Sequence, residues 1–140
     1  MKRLFTILLV VAAGTTFAQQ RSLVELRDGW MYSADSGMVT GAFMTIVNRS
    51  NQPDTIVAAK ADCAEHAEIH TTIRNSDGTM GMRPIGELIV PAQQTVVLKP
   101  RSLHVMLYGL RRSLRPGDRC ILSLETKHSG TLRIDLRVRR

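Results

Sequence analysis

The stretch from Ser102 to Leu110, SLHVMLYGL, sets the reading of the chain. Leu103, Val105 and Leu107 alternate with His104 and Met106, and successive side chains of a strand point to opposite faces. A run with this period of two is a half-buried β-strand. Its apolar face belongs to a core, while the other face presents an imidazole and a thioether together.

The same texture fills most of the chain. Runs rich in Val, Ile, Leu and Thr occur at 38–50 (MVTGAFMTIVNRS), 54–61 (DTIVAAKA), 66–73 (HAEIHTTI), 94–100 (QTVVLKP), 120–127 (CILSLETK) and 131–138 (TLRIDLRV). Turn signals separate them, among them NSDG at 75–78, LRPGD at 114–118 and KHSG at 127–130, each built on Gly, Pro, Asn or Asp. Short strands with turns at this spacing indicate an all-β domain, an antiparallel sandwich or barrel. No helical stripe, repeat or linker interrupts the pattern.

The first 18 residues read differently. A positive start at Lys2 and Arg3 precedes the apolar LFTILLVVAAG, and small residues at Thr16 and Ala18 lead into a polar segment, which together read as a signal peptide cleaved after Ala18. The expected division is a leader over 1–18 and one domain over 19–140, exported to the periplasm, with no membrane span after cleavage. Loss of Lys2 and Arg3 takes the net charge from +7 to +5. Much of the remaining excess lies in GLRRSLRPGDR and in the tail, where Arg133, Asp135, Arg137 and Arg139 alternate with Leu132, Ile134, Leu136 and Val138. That is a strand with one wet face, without the aromatic interleaving of a nucleic-acid platform. No nucleic-acid partner is expected, and a monomer is.

Cys63 and Cys120 are too far apart in sequence for a metal motif. An oxidising compartment permits a disulfide between them, and two buried free thiols are the alternative.

His70 lies on the strand before the NSDG turn, and Met80 and Met82 lie on the returning segment, so a hairpin brings them together. With His104 and Met106 the chain therefore offers two clusters of His plus Met. Imidazole nitrogens and thioether sulfurs form a soft, nearly neutral ligand set that suits monovalent copper. Zinc prefers cysteine, histidine and carboxylate, and a blue-copper centre needs a thiolate beside its histidines. His66 faces the same way as His70, four residues on, while His128 belongs to an exposed turn. No nucleophile with a paired base, carboxylate dyad or phosphate loop is evident, so no enzyme activity is expected.

At these residues the sequence resembles the periplasmic copper chaperones of the PCu(A)C type, whose signature is a His, about ten residues, a Met, twenty-one residues, then His-x-Met. Here eleven residues separate His70 from Met82, and twenty-one separate Met82 from His104, which is followed by Val105 and Met106. The additional residue falls at or near the NSDG turn, and the onward spacing selects Met82 over Met80. The resemblance extends through GAFMTIVN, AEIHTT, MGMRPI, VPAQQTVVLKP and HVMLYGLRRSLRPGD, nearly the whole of residues 19–140. It implies a cupredoxin-like β-sandwich of Greek-key type that binds one Cu(I) through His70, Met82, His104 and Met106. It also implies transfer of that ion by ligand exchange to a copper-accepting protein, a cytochrome oxidase subunit at its copper A centre or another copper chaperone. The contrasting expectation is an exported protein-binding or assembly module that holds no metal, its His and Met residues being incidental.

Overall fold

The computed structural model describes residues 23–140, so the leader expected over 1–18 lies outside them. Ten strands follow one another: β1 (Val24–Tyr32), β2 (Thr40–Asn48), β3 (Asp54–Ala61), β4 (Ala64–Arg74), β5 (Met80–Pro84), β6 (Leu88–Val90), β7 (Thr95–Leu98), β8 (His104–Leu110), β9 (Arg119–Thr126) and β10 (Thr131–Arg139). No helix is present among the described residues, in keeping with the all-β reading.

Hydrogen bonding runs β4-β8-β2-β1-β10-β9-β3, and β3 returns to β4 through Ala59 opposite Ala67. Seven strands thus form a closed, barrel-like circuit, one of the two architectures the strand pattern allows, whereas the family resemblance implies a sandwich of two facing sheets. Closure leaves no free edge in the circuit itself. β5, β6 and β7 attach outside it, to β4, β3 and β2. The antiparallel expectation needs one correction, because β1 and β10 run parallel, with Trp30 opposite Arg137 and Tyr32 opposite Arg139. They are the first and last strands, and no hairpin constrains the direction of strands so far apart in the chain.

Inward-facing apolar residues fill the barrel. Val105 and Leu107 of β8, Leu122 and Leu124 of β9, and Leu136 and Val138 of β10 are all buried. The alternation in β10 holds as the sequence implies, with Arg133, Asp135, Arg137 and Arg139 exposed. Alternation fails in β1, where the register shifts between Arg27 and Trp30 and Asp28 takes a φ of 54°. Gly29 lies in this bulge against β10, and a Cβ there would approach Ile134 Cδ1 to 2.7 Å, so a larger residue would require the Ile134 side chain to move.

Cys63 and Cys120 form a disulfide that ties the short turn between β3 and β4 to β9. This decides between the two alternatives the sequence left open.

Asp54 pins the other end of β3. It is only 3% exposed, and its carboxylate accepts hydrogen bonds from the backbone N–H groups of Thr55 (2.7 Å), His128 (3.1 Å) and Ser129 (2.9 Å). Burial pushes its pKa up, but the hydrogen bonds from Ser129, Thr55 and His128 outweigh burial and hold the group below its ordinary 3.8. A carboxyl whose folded pKa is lowered stabilises the fold fully above its unfolded pKa and loses that contribution as the pH falls through the folded value. Asp54→Asn is therefore expected to cost about 1 to 2 kcal/mol at neutral pH. The gap between variant and parent melting temperatures should close as the pH drops below 3.8, and a gap constant down to strongly acidic pH would remove the carboxylate from this role.

Candidate metal centre

β4 and β8 pair antiparallel with His70 directly opposite His104. Because side chains alternate along each strand, Ile69 and Val105 enter the core while the two imidazoles lie on the outer face of the barrel. They are nonetheless buried, at 6% and 4% exposure, with ring centroids 5.9 Å apart. Phe43 of β2 stands beside His104, centroids 6.4 Å apart, and continues into an aromatic cluster with Trp30 and Tyr32. Arg139 lies over the Trp30 ring at 4.9 Å. Trp30 is thus a packing residue on the outside of the barrel, one layer removed from the histidines.

Each imidazole has one nitrogen engaged and one free of partners. His104 Nδ1 lies 2.8 Å from the carbonyl oxygen of Ser102, an acceptor only, so this nitrogen carries the proton and Nε2 keeps its lone pair. His70 is the mirror case. Its Nε2 lies 3.0 Å from Glu68 Oε2 and 3.3 Å from the Tyr108 hydroxyl, so Nε2–H donates to the carboxylate and Nδ1 keeps the lone pair. The unengaged atoms, His70 Nδ1 and His104 Nε2, are buried and make no hydrogen bond. A buried polar atom without a partner costs about 1 to 3 kcal/mol, so two on facing residues call for an explanation.

Glu68 also accepts from His66 Nε2 at 2.8 Å, so the three side chains form a row along β4. Hydrogen bonds from His66 and then His70 hold the Glu68 carboxyl below its ordinary value. Burial and the negative charge of Glu68 push the Tyr108 hydroxyl up, which keeps it a neutral phenol. Neither Glu68 nor Tyr108 is singled out by the spacing of His and Met residues. The available signal is face parity: Glu68 is two residues from His70, and Tyr108 four from His104, on the same side of their strands.

The methionines lie on both sides of this pair. Met106 is two residues from His104 on the same face of β8, opposite Glu68. β5 pairs with β4 so that Thr72 faces Met82 and Arg74 faces Met80. The intervening NSDG turn closes through Asn75 N–H to Thr79 O (2.8 Å), with Gly78 at a φ of 85°. Met80, Met82, His104 and Met106 line one cavity of about 470 Å³, with Phe43 and Thr72 also in its wall. The structure therefore brings Met82, His104 and Met106 to one cavity and sets His70 beside His104. His66 is exposed and reaches Glu68 instead of the unengaged nitrogens, and His128 is an exposed turn residue.

Among the described residues, the one tight cluster of Asp, Glu, His and Cys ligand atoms is Asp62 with Cys63 and Cys120, whose sulfurs are bonded to each other. The donor set at the histidines is different in kind, two nitrogen lone pairs among thioethers.

Comparison with known proteins gives the family and the fold. A family model described as "LpqE-like: Putative lipoprotein LpqE-like" matches residues 24–138. "Putative lipoprotein Lxx21020" of Leifsonia xyli subsp. xyli is 30% identical over 121 residues, spanning 86% of this chain and 72% of that protein. In the present chain both cysteines are taken up by the disulfide. Among solved structures, the apo PCuAC domain from PmoF1 superposes with a TM-score of 0.71 at 22% identity, over 84% of this chain and 93% of that one. The copper-bound PCuAC domain from PmoF2 gives 0.68 at 18%, over 83% and 92%. The solution structure of CuI-DR1885 from Deinococcus radiodurans gives 0.63 at 28%, over 91% and 85%. With a family model spanning almost every described residue and a shared all-β architecture, the chain belongs to the LpqE-like family and is a domain of the PCu(A)C type.

Proposed function

We propose that this protein is a copper chaperone that holds one Cu(I) through His70 Nδ1, Met82, His104 Nε2 and Met106 and passes it on by ligand exchange. The observation that carries the reading is the pair of buried, facing imidazoles whose unengaged nitrogens find no hydrogen bond. Thioethers beside them supply soft, neutral donors, which favour Cu(I) over Cu(II). The copper-bound PCuAC domain from PmoF2 and CuI-DR1885 among the structural neighbours support copper as the ion. Met82 is 60% exposed, so the site opens outward on the methionine side, where an acceptor's thiolates or imidazoles displace the ligands one at a time. The acceptor is read as the copper A centre of a cytochrome oxidase subunit or another copper chaperone. The expected leader and the lipoprotein relatives support an exported, periplasmic protein, active as a monomer over 19–140. The cupredoxin-like β-sandwich of Greek-key type that the family resemblance implies has support in the long crossovers that set β8 between β2 and β4 and β9 beside β3.

Anaerobic native mass spectrometry with Cu(I) is expected to show one copper per chain, and none after His104→Ala with Met106→Ala. Uptake of no copper by the parent, or equal uptake by the variant, would favour the metal-free binding module. A bound Cu(II) with a strong tetragonal EPR signal that resists reduction would sink the thioether ligand set.

A further inference from the structure

Two methionines of β5 face the cavity, and the four-ligand reading above uses one. Met80 and Met82 flank Gly81, are each 60% exposed and line the same cavity as His104 and Met106. Their register differs. Met82 stands opposite Thr72, the next outward residue of β4 beyond His70, whereas Met80 stands opposite Arg74, one pleat repeat further, roughly 6.5 Å along the strand. Its backbone position is thus one step further out along β5 than that of Met82, at the margin of the cavity both side chains line. An exposed position on an edge strand is ordinarily served by a charged residue such as lysine, which also guards the edge against unwanted pairing. β5 is such an edge, hydrogen-bonded to β4 alone. Methionine brings instead a long, unbranched side chain with three rotatable bonds and a soft donor at its tip.

We infer that Met80 is the entry and exit ligand of the copper site: on loading it binds Cu(I) at the mouth of the cavity and yields it to Met82, and on release the order reverses. The inference rests on the copper reading of the site. In the exchange the bond from Cu(I) to the Met80 sulfur breaks as the bond to the Met82 sulfur forms. Both donors are neutral thioethers and the metal remains monovalent, so no proton and no electron moves. An intermediate of this kind lowers the barrier equally in both directions, so its loss slows loading and release together and leaves the equilibrium unchanged.

The test is anaerobic stopped-flow transfer of Cu(I) from its coloured bicinchoninate complex to the full chain, and back to excess chelator, alongside equilibrium competition with the same chelator. Met80→Leu is expected to keep the parent affinity within about twofold while loading and release each slow by at least about fivefold. Met82→Leu should lose more than about tenfold in affinity. Transfer at the parent rate in Met80→Leu overturns the inference and leaves the copper reading standing. A larger affinity loss in Met80→Leu than in Met82→Leu also overturns it, by making Met80 the resident ligand. A parent protein that takes up no Cu(I) removes both readings. Leucine at an exposed edge position preserves volume and apolarity, so these kinetics are read on a folded protein.

Discussion

Replacing both cysteines, Cys63→Ala with Cys120→Ala, is expected to lower stability by about 4 kcal/mol and the melting temperature by about 15 °C. The two residues are 57 apart in sequence, and closing a loop of that length removes most of its chain entropy from the unfolded state. The position makes the loss more than entropic. The barrel closes between β3 and β4 through the single residue pair Ala59 and Ala67, whereas β3 and β9 pair at five positions from Ile56 to Ala61. Cys63 sits in the turn between β3 and β4, and the bond to Cys120 anchors that turn to β9 beside the narrow seam. Both residues are buried, at 3% and 1% exposure, so alanine at both leaves no lone thiol and only a small void. Calorimetry of the variant and of the reduced parent should give matching curves. A loss below about 1 kcal/mol would mean that the β3 and β9 ladder holds the seam unaided.

That disulfide was only half legible in the sequence, because bridging depends on the separation of two Cα atoms, here 5.7 Å, which spacing along the chain does not encode. Local patterns travelled further. DTIVAAKA reads as a strand with the same ends as β3, and the hydrophobic alternation of TLRIDLRV survives as the buried and exposed faces of β10. β1 gave no clean alternation because its bulge between Arg27 and Trp30 breaks the period, and β6, at three residues, is too short to carry one. The parallel pairing of β1 with β10 and the closure of the circuit depend on contacts between distant parts of the chain, for which short-range periodicity holds no signal. At the site, strand parity was enough to put His104 and Met106 on one face, and the hairpin signal was enough to fold β5 back against β4. The support behind the histidines was not visible, since the Ser102 carbonyl is backbone and Glu68 resembles any solvated glutamate of an exposed strand face.

The two histidines should respond differently to the loss of their supports, because a fixed backbone carbonyl orients one and a side chain orients the other. On the proposed four-ligand set, His70→Ala and His104→Ala are each expected to weaken Cu(I) binding by at least about a hundredfold, the equivalent of ~2.7 kcal/mol, since each removes a nitrogen donor. Neither should destabilise the copper-free protein in proportion. The parent carries His70 Nδ1 and His104 Nε2 buried without partners, and removing an unsatisfied atom relieves part of what the lost packing costs. Cu(I) in excess should raise the parent's melting temperature, by an amount corresponding to about 4 kcal/mol at a thousand times Kd, and should leave the His104→Ala midpoint almost unmoved. Glu68→Ala distinguishes the two rings. It strips His70 of the carboxylate that holds Nε2–H, leaving only the more distant Tyr108 hydroxyl, so affinity is expected to fall by about tenfold, the lower end for a lost outer partner of a histidine ligand. Glu68→Gln retains an acceptor for Nε2–H and should recover most of that loss. His104 has no such dependence, because its Nδ1–H is held by Ser102 O whatever the side chain at 102, and Ser102→Ala should bind copper as the parent does. Equal losses from Glu68→Ala and Ser102→Ala in a chelator competition titration would show that the copper site does not distinguish the two supports and that the assigned tautomers are wrong.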